Sequence, residues 1–296
     1  MIRFLVLFAS IFLASTASAQ DRLLQIGNSL TNDTVMFLYA NEFELRDDSI
    51  RAGSNLSQIN DDPEQRWPGL IENNDYDFLA VQPFQGTTIG VDVSLISNWM
   101  TLEPNAVVII HPAWNGHIRF ASDYIDPQSQ FMRPSPAYID ELRSRLLVLH
   151  PSREIRLTRT HDILFSIHLD IENGAAPFEQ LSDLYRDGLH MSLSGGRYMA
   201  HNAMMTALGR GIRTEVLETS FTTNPSDEVK DYINQKILDA HGIVLGDCNQ
   251  DGVVNFFDIS PFIGFLSEGY LQQADLNLDR SVDFLDISPF IRVLTQ

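Results

Sequence analysis

The chain has one cysteine, Cys248, in 296 residues. A lone thiol closes no loop within the chain, so cores or bound ions must hold the fold without disulfides. Positive charge is scarce as well: 20 Lys and Arg stand against 39 Asp and Glu, a formal net charge of −19. Binding to nucleic acid or to an anionic membrane calls for clustered Lys and Arg, so no nucleic-acid partner is expected. Calcium and neutral glycans are compatible with this balance. Long apolar runs are missing too, apart from the start. Met1-Ile2-Arg3 is a short positive segment, Phe4 to Ala14 is almost unbroken apolar sequence, and Ala17-Ser18-Ala19 reads as a small-residue cleavage site. Residues 1–19 are therefore expected to be a signal peptide. No later stretch approaches the roughly 18 apolar residues of a membrane span. The mature chain is expected to have no span and to be secreted, periplasmic or held at the cell surface.

What the chain does have is a duplication. Residues 247–258, DCNQDGVVNFFD, return 28 residues later as DLNLDRSVDFLD over 275–286, and ISPFI follows each copy. Oxygen ligands at loop positions 1, 3, 5, 9 and 12, with a backbone carbonyl at 7, wrap a hard cation such as Ca²⁺. The first set is Asp247, Asn249, Asp251, Asn255 and Asp258 with the Val253 carbonyl. The second is Asp275, Asn277, Asp279, Asp283 and Asp286 with the Ser281 carbonyl. Gly252 suits the sharp turn at position 6, which Arg280 suits less well. Val254 and Val282 at position 8 are expected to pair across a short bridge. Pro261 and Pro289 fall in a first helical turn, where proline is tolerated.

On these residues the tail, 246–296, resembles a type I dockerin, the duplicated calcium module that docks secreted enzymes onto cohesin domains. The resemblance implies a small all-α module with structural Ca²⁺ and a cohesin-like docking partner. Loop positions 10 and 11 depart from the family's small or polar recognition residues, being Phe256-Phe257 and Phe284-Leu285. These apolar side chains are expected to pack against each other or against the preceding domain.

Residues 20–245 alternate short apolar runs with amphipathic stretches. Strands are expected at Leu23–Ile26, Ser49–Arg51, Phe78–Val81, Ala106–Ile110 and Ile155–Thr158. Helices are expected near 34–45, 92–102, 136–149, 193–208 and 227–240. This alternation predicts an α/β fold, a parallel sheet with helices on both faces, with ligands at the carboxyl ends of the strands. Gly27-Asn28-Ser29 ends the first strand, Ala52-Gly53-Ser54 follows the second, Gln82 ends the third and His111 the fourth.

Ser29 follows its strand in a turn that exposes the hydroxyl. A serine hydroxyl is a poor nucleophile until a neutral imidazole takes its proton, and the imidazole needs an acceptor to fix its tautomer. Asp187-Gly188-Leu189-His190, before the 193–208 helix, supplies both. His111 is the one competing base, because it ends a strand on the same face. The Gly53 N–H and the Gln82 side-chain amide are candidate oxyanion donors beside the Ser29 N–H. Trp67, Trp114 and Tyr124 are candidates for stacking on sugar rings.

Ser29, Gly53, Asp187 and His190 match by type, order and setting the SGNH (GDSL-type) hydrolase superfamily, which residues 22–210 resemble. Asn28 replaces the usual Asp of the serine block, and Gln82 stands where the third block has Gly-x-Asn-Asp. The resemblance implies a flavodoxin-like three-layer α/β/α domain and a catalytic set of Ser29, Asp187 and His190. The expected function is an exported ester hydrolase working through an acyl-enzyme, without a cofactor for the chemistry. Its substrate would be an acylated small molecule or glycan, with acetyl removal favoured. The second reading is a non-catalytic carbohydrate- or surface-binding protein on an inactive scaffold of this kind, to which the Gln82 departure points.

Overall fold

A computed structural model describes residues 21–267 and 269–295; the expected signal peptide lies outside the described residues. The chain opens with β1 (Arg22–Gly27), a one-turn helix α1 (Ser29–Asn32), β2 (Leu45–Ile50), and the short helices α2 (Leu56–Asn60) and α3 (Trp67–Asn73). Then come β3 (Phe78–Val81), α4 (Ile89–Leu102), β4 (Val107–Ile110), α5 (His117–Tyr124), α6 (Pro136–Leu149) and β5 (Ile155–Leu157). The helices α7 (Thr160–Glu172), α8 (Gly195–Ala207) and α9 (Asp227–His241) complete the main body.

All four strand pairings are parallel, in the order β2-β1-β3-β4-β5. Their register aligns Ile26 with Ser49 and Val81, Val81 with Ile110, and Ile110 with Leu157. The five carboxyl ends therefore share one edge. In this order the chain reverses direction between β1 and β3, which opens a crevice at that edge.

Side-chain alternation makes two cores. Leu24, Ile26, Leu79, Val81, Val108 and Ile110 face α2, α4 and α6. On the other side Leu23, Phe78, Ala80 and Ile109 meet Met204, Met205 and Leu208 at the end of α8. Helix α8 is buried along its whole length, with α7 and α9 behind it. The result is a three-layer α/β/α body. One expected helix is cut down: residues 34–45 form only a 3₁₀ turn over Met36–Glu42, because β2 already begins at Leu45. Four were not expected: the short α2, α3 and α5, and α7, which buries Ile163, Leu164 and Ile167 at helical spacing.

The tail has a core of its own, in which Cys248, Phe262, Ala274 and Phe290 are buried and the rings of Phe262 and Phe290 stack at 4.1 Å. Helices α10 (Ile259–Phe265) and α11 (Ile287–Leu294) follow the two loops. Burial, then the carboxylates of Asp258 and Asp247, push the Cys248 thiol up to about 12, so it is inert. Three expectations change here. Phe256, Phe257, Phe284 and Leu285 pack on neither each other nor the main body but are exposed. Val254 and Val282 form no bridge; the isolated bridges among the described residues are Thr88–Phe131 and Tyr185–Met191. Arg280 does adopt the left-handed turn, at φ 71° against 87° for Gly252. Its guanidinium compensates by donating to the Arg210 carbonyl at 3.1 Å and to Glu42 at 3.3 Å, which ties the tail to the main body.

Three histidines are buried in the main body, and desolvation lowers each: His111 to about 3, His161 to about 4 and His201 to about 3. The unfolded chain takes up these protons near pH 6.5 and the folded chain does not, so stability falls as pH drops from about 6.5 towards 4. Each group contributes a slope of about 1.4 kcal/mol per pH unit in that window. Asp92, raised to about 7 by burial, works in the opposite direction and offsets one of them. Urea unfolding followed by tryptophan fluorescence should give a clearly lower midpoint at pH 4.5 than at pH 6.5; a flat midpoint would contradict the buried neutral imidazoles.

Candidate active site

The serine turn is built by its neighbours' side chains. Asn28 leaves the strand in an extended conformation, and its Oδ1 accepts the Leu30 N–H at 2.9 Å, capping α1. Its Nδ2 donates to the Ser54 carbonyl at 2.9 Å, drawing the loop after β2 towards the turn. From below, Gln82 Oε1 accepts the Asn28 N–H at 3.1 Å, the Thr31 N–H at 3.1 Å and the Thr31 hydroxyl at 2.7 Å. A Cβ on Gly27 would lie 2.0 Å from the Thr31 hydroxyl and 2.9 Å from Gln82 Cβ, so glycine alone lets the strand close over this amide. Ser29 sits above, partly exposed, as the first residue of α1.

The Asp187–His190 loop is pinned in the same way. Asp187 Oδ1 accepts the N–H groups of Leu189 and His190, both at 2.8 Å. These bonds, that from His190 foremost, hold its carboxyl down at about 2, so it stays ionised at neutral pH. His190 Nδ1 lies 2.9 Å from Asp187 Oδ2, and Nε2 lies 3.0 Å from Ser29 Oγ. Residues 161 positions apart thus form one carboxylate–imidazole–hydroxyl relay. The side chains of His190 and Asp187 remain 26% and 49% exposed, so the relay opens to solvent. Trp114 Nε1 donates to the Leu189 carbonyl at 2.8 Å and holds the loop from within.

A residue that sequence reasoning passed over joins the two halves. Asp33, the C-cap of α1, is fully buried. Its Oδ1 accepts from Arg197 Nε at 2.9 Å, Arg197 Nη2 at 2.8 Å and Arg186 Nη1 at 2.8 Å. Its Oδ2 accepts the Met191 N–H at 2.9 Å. Arg186 and Met191 flank the Asp187–His190 loop, and Arg197 comes from α8. The signal in the sequence was only an acidic residue four places after the serine.

The remaining candidates divide. Gly53 has φ +69°, open space around its Cα and an exposed position; like the Ser29 N–H, its N–H has no partner among the described residues. Gln82 is corrected. Its amide lies beneath the turn, with Oε1 occupied three times and Nε2 buried without an acceptor, so it shapes the serine turn instead of facing an oxyanion. His111 is no rival base, since it is buried and its Nδ1 bonds the Thr158 hydroxyl at 2.8 Å. The aromatic candidates are structural as well: Trp114 is buried, Trp67 packs edge-on against Trp99, and Tyr124 stacks on Phe165 and donates to Asp162.

In the tail, both loops repeat one pattern. Asp247 accepts the Asp251 and Gly252 N–H groups, and Asp258 those of Asn249 and Asn255. In the second copy Asp275 accepts from Asp279 and Arg280, and Asp286 from Asn277 and Asp283. Positions 5 and 9 recur also: Asp251 and Asp279 bond the N–H groups of Val253 and Ser281, and Asn255 and Asp283 cap the next turn. Among the described residues none of these carboxylates pairs with a Lys, Arg or His, although Asp247, Asp258, Asp275 and Asp286 are buried. Buried anions without a counter-charge fit a bound cation. No group of three or more His, Cys, Asp and Glu converges among the described residues, so the carboxylates of neither expected ligand set are gathered at one point. A cleft of about 790 Å³ lies between Arg156 of the main body and Gln272 of the tail, away from the relay.

No family model matches the chain, and no curated protein matches it. It is similar to a solved structure from Parabacteroides merdae described as a GDSL-like lipase, at 14% identity over 64% of this chain and 96% of that one, with a TM-score of 0.41. A member of the lipolytic G-D-S-L family from Veillonella parvula shares 8% identity over 64% of this chain and 98% of that one, with a TM-score of 0.40. Likenesses this distant leave the functional assignment to the geometry of the site.

Two substitutions test the frame. Asp33→Ala leaves Arg197 and Arg186 facing an empty buried position and should cost about 3–5 kcal/mol in urea unfolding at pH 7. Gln82→Ala strands three donors of the serine turn and should cost about 1–3 kcal/mol. A change below about 0.5 kcal/mol in either, the range of an inert surface substitution, would contradict the roles given to them.

Proposed function

We propose that this protein is an exported serine ester hydrolase acting through an acyl-enzyme, with O-acylated carbohydrate as substrate and a calcium-binding docking tail. The observation that carries the reading is the relay from Asp187 through His190 to Ser29, with contacts of 2.9 and 3.0 Å. Ser29 Oγ attacks the ester carbonyl while His190 Nε2 takes its proton. The tetrahedral oxyanion accepts from the Ser29 and Gly53 N–H groups. The carbonyl reforms as His190 returns the proton to the departing alcohol oxygen. A water then repeats the sequence on the acyl-serine and releases the carboxylic acid. Asp187 stays ionised throughout and stabilises the imidazolium.

The acidic balance of the chain and its calcium-loop tail support an exported enzyme of glycan metabolism. Calcium, when bound, would neutralise the buried loop carboxylates and order the tail. Asp247, Asn249, Asp251, Asn255 and Asp258 would hold it in the first loop with the Val253 carbonyl. Asp275, Asn277, Asp279, Asp283 and Asp286 would do so in the second with the Ser281 carbonyl. The exposed Phe256, Phe257, Phe284 and Leu285 are then the surface offered to a cohesin-like partner.

Ser29→Ala should lower kcat on a short-chain acetyl ester by at least about 10⁴-fold and abolish labelling by a fluorophosphonate probe. Retained turnover would end the hydrolase reading. Activity should rise between pH 5 and 8, the interval in which imidazoles titrate, with no separate carboxylate step there because Asp187 is held near 2. Calorimetry of the full chain should show the tail transition move up on adding calcium and down with a chelator. An Asp258→Ala chain with the same calcium response as the parent would exclude the first loop as a site.

A further inference from the structure

Beside the relay, the loops after β3 and β4 meet the catalytic loop. Gln85, Asn115 and Gly188 enclose, with the start of α5, a cleft of about 270 Å³. The cleft is fixed to the loop that carries the base. A Cβ on Gly116 would stand 2.5 Å from the Gly188 carbonyl oxygen, so only glycine permits that approach. The Tyr185 hydroxyl donates to the Asn115 carbonyl at 3.2 Å. Inside, Asn115 and Asp123 are 6% and 7% exposed, and Asn115 Nδ2 donates to Asp123 Oδ2 at 2.5 Å. Arg119 and Arg133 lie 3.3 and 3.8 Å from the other carboxylate oxygen, so the wall is polar, and the Arg119 side chain is largely exposed. The Gln85 amide is exposed at the rim, and Ile118, 87% exposed, supplies one apolar face.

We propose that this cleft is the leaving-group subsite and that it takes one sugar ring, with Gln85 and Asp123 reading ring hydroxyls and Ile118 covering the C–H face. This rests on the ester-hydrolase reading. The cleft is smaller than the roughly 300–1,000 Å³ of sites that take drug-sized ligands, which leaves room for a single ring. A long alkyl leaving group would need continuous apolar wall to gain its about 0.8 kcal/mol per buried methylene, and Ile118 is the one apolar side chain here.

The test compares two acetate esters that differ only in the alcohol, methyl 6-O-acetylglucoside and ethyl acetate. The full chain should prefer the sugar ester in kcat/KM by about tenfold, and Gln85→Ala should remove most of that preference, the effect of one or two neutral hydrogen bonds. Equal losses on both esters, or an unchanged ratio, would overturn the subsite. A second readout does not need turnover. In the Ser29→Ala chain, methyl glucoside titrated by NMR should shift the signals of Gln85 and Ile118, and Ser29→Ala/Gln85→Ala should lose the response. Absence of binding there overturns the sugar site even where ethyl acetate is hydrolysed. Binding through Gln85 in a chain whose parent cleaves neither ester keeps the sugar site and sinks the hydrolase reading.

Discussion

The arrangement of Ser29, His190 and Asp187 hangs on one buried carboxylate. Asp33 ends the short helix that begins with Ser29, and it accepts from both sides of the loop that carries His190. Arg197 holds it from α8, a helix with no exposed residue and therefore little freedom to shift. A charge removed from water is tolerated only when paired and fully hydrogen-bonded, so this contact is all or none. It places Ser29 and His190 on a common anchor.

Much of the polar machinery near Ser29 addresses the backbone instead of a ligand. Apart from the Thr31 hydroxyl that Gln82 accepts, Gln82, Asn28 and Trp114 spend their side-chain hydrogen bonds on main-chain groups of the turn, the β2 loop and the Asp187–His190 loop. Five parallel strands with aligned ends bring those loops to one edge but do not fix their heights or angles. Side-chain amides and an indole do that. The site then needs little from its own four-residue helix, which is too short to be stable by itself.

The tail follows a different logic. Its two loops spend main-chain N–H groups on four buried carboxylates and bring no basic side chain to them. The one charged residue at a turning position, Arg280, points away and bonds to Arg210 and Glu42 of the main body. Where the first copy keeps glycine for conformational freedom, the second gives that up for a contact between the two parts of the chain. The second loop is thereby the one whose order is coupled to the main body.

The strands were legible because buried parallel strands are short runs of Val, Ile and Leu: Phe78–Val81 is found where it was expected, and β1, β4 and β5 lie within a residue or so at each end. The charged edge strand β2 reaches back to Leu45, beyond the expected Ser49, because edge pairing tolerates Arg46, Asp47 and Asp48. That Ser29 and the Asp187–His190 pair lie at strand ends and loop starts was legible too, because their settings are set by the local strand and helix pattern. Sequence alone determined the alternating α/β plan, the duplicated loops and the chemical types at the site. Only the tertiary structure decided that His190 and Ser29 touch, that Gln82 lies under the turn, and that Asp33 binds both halves. A one-dimensional pattern records which groups can bond. Which of them do so depends on desolvation and on distances between residues 150 or more positions apart, and those exist only once the sheet has closed.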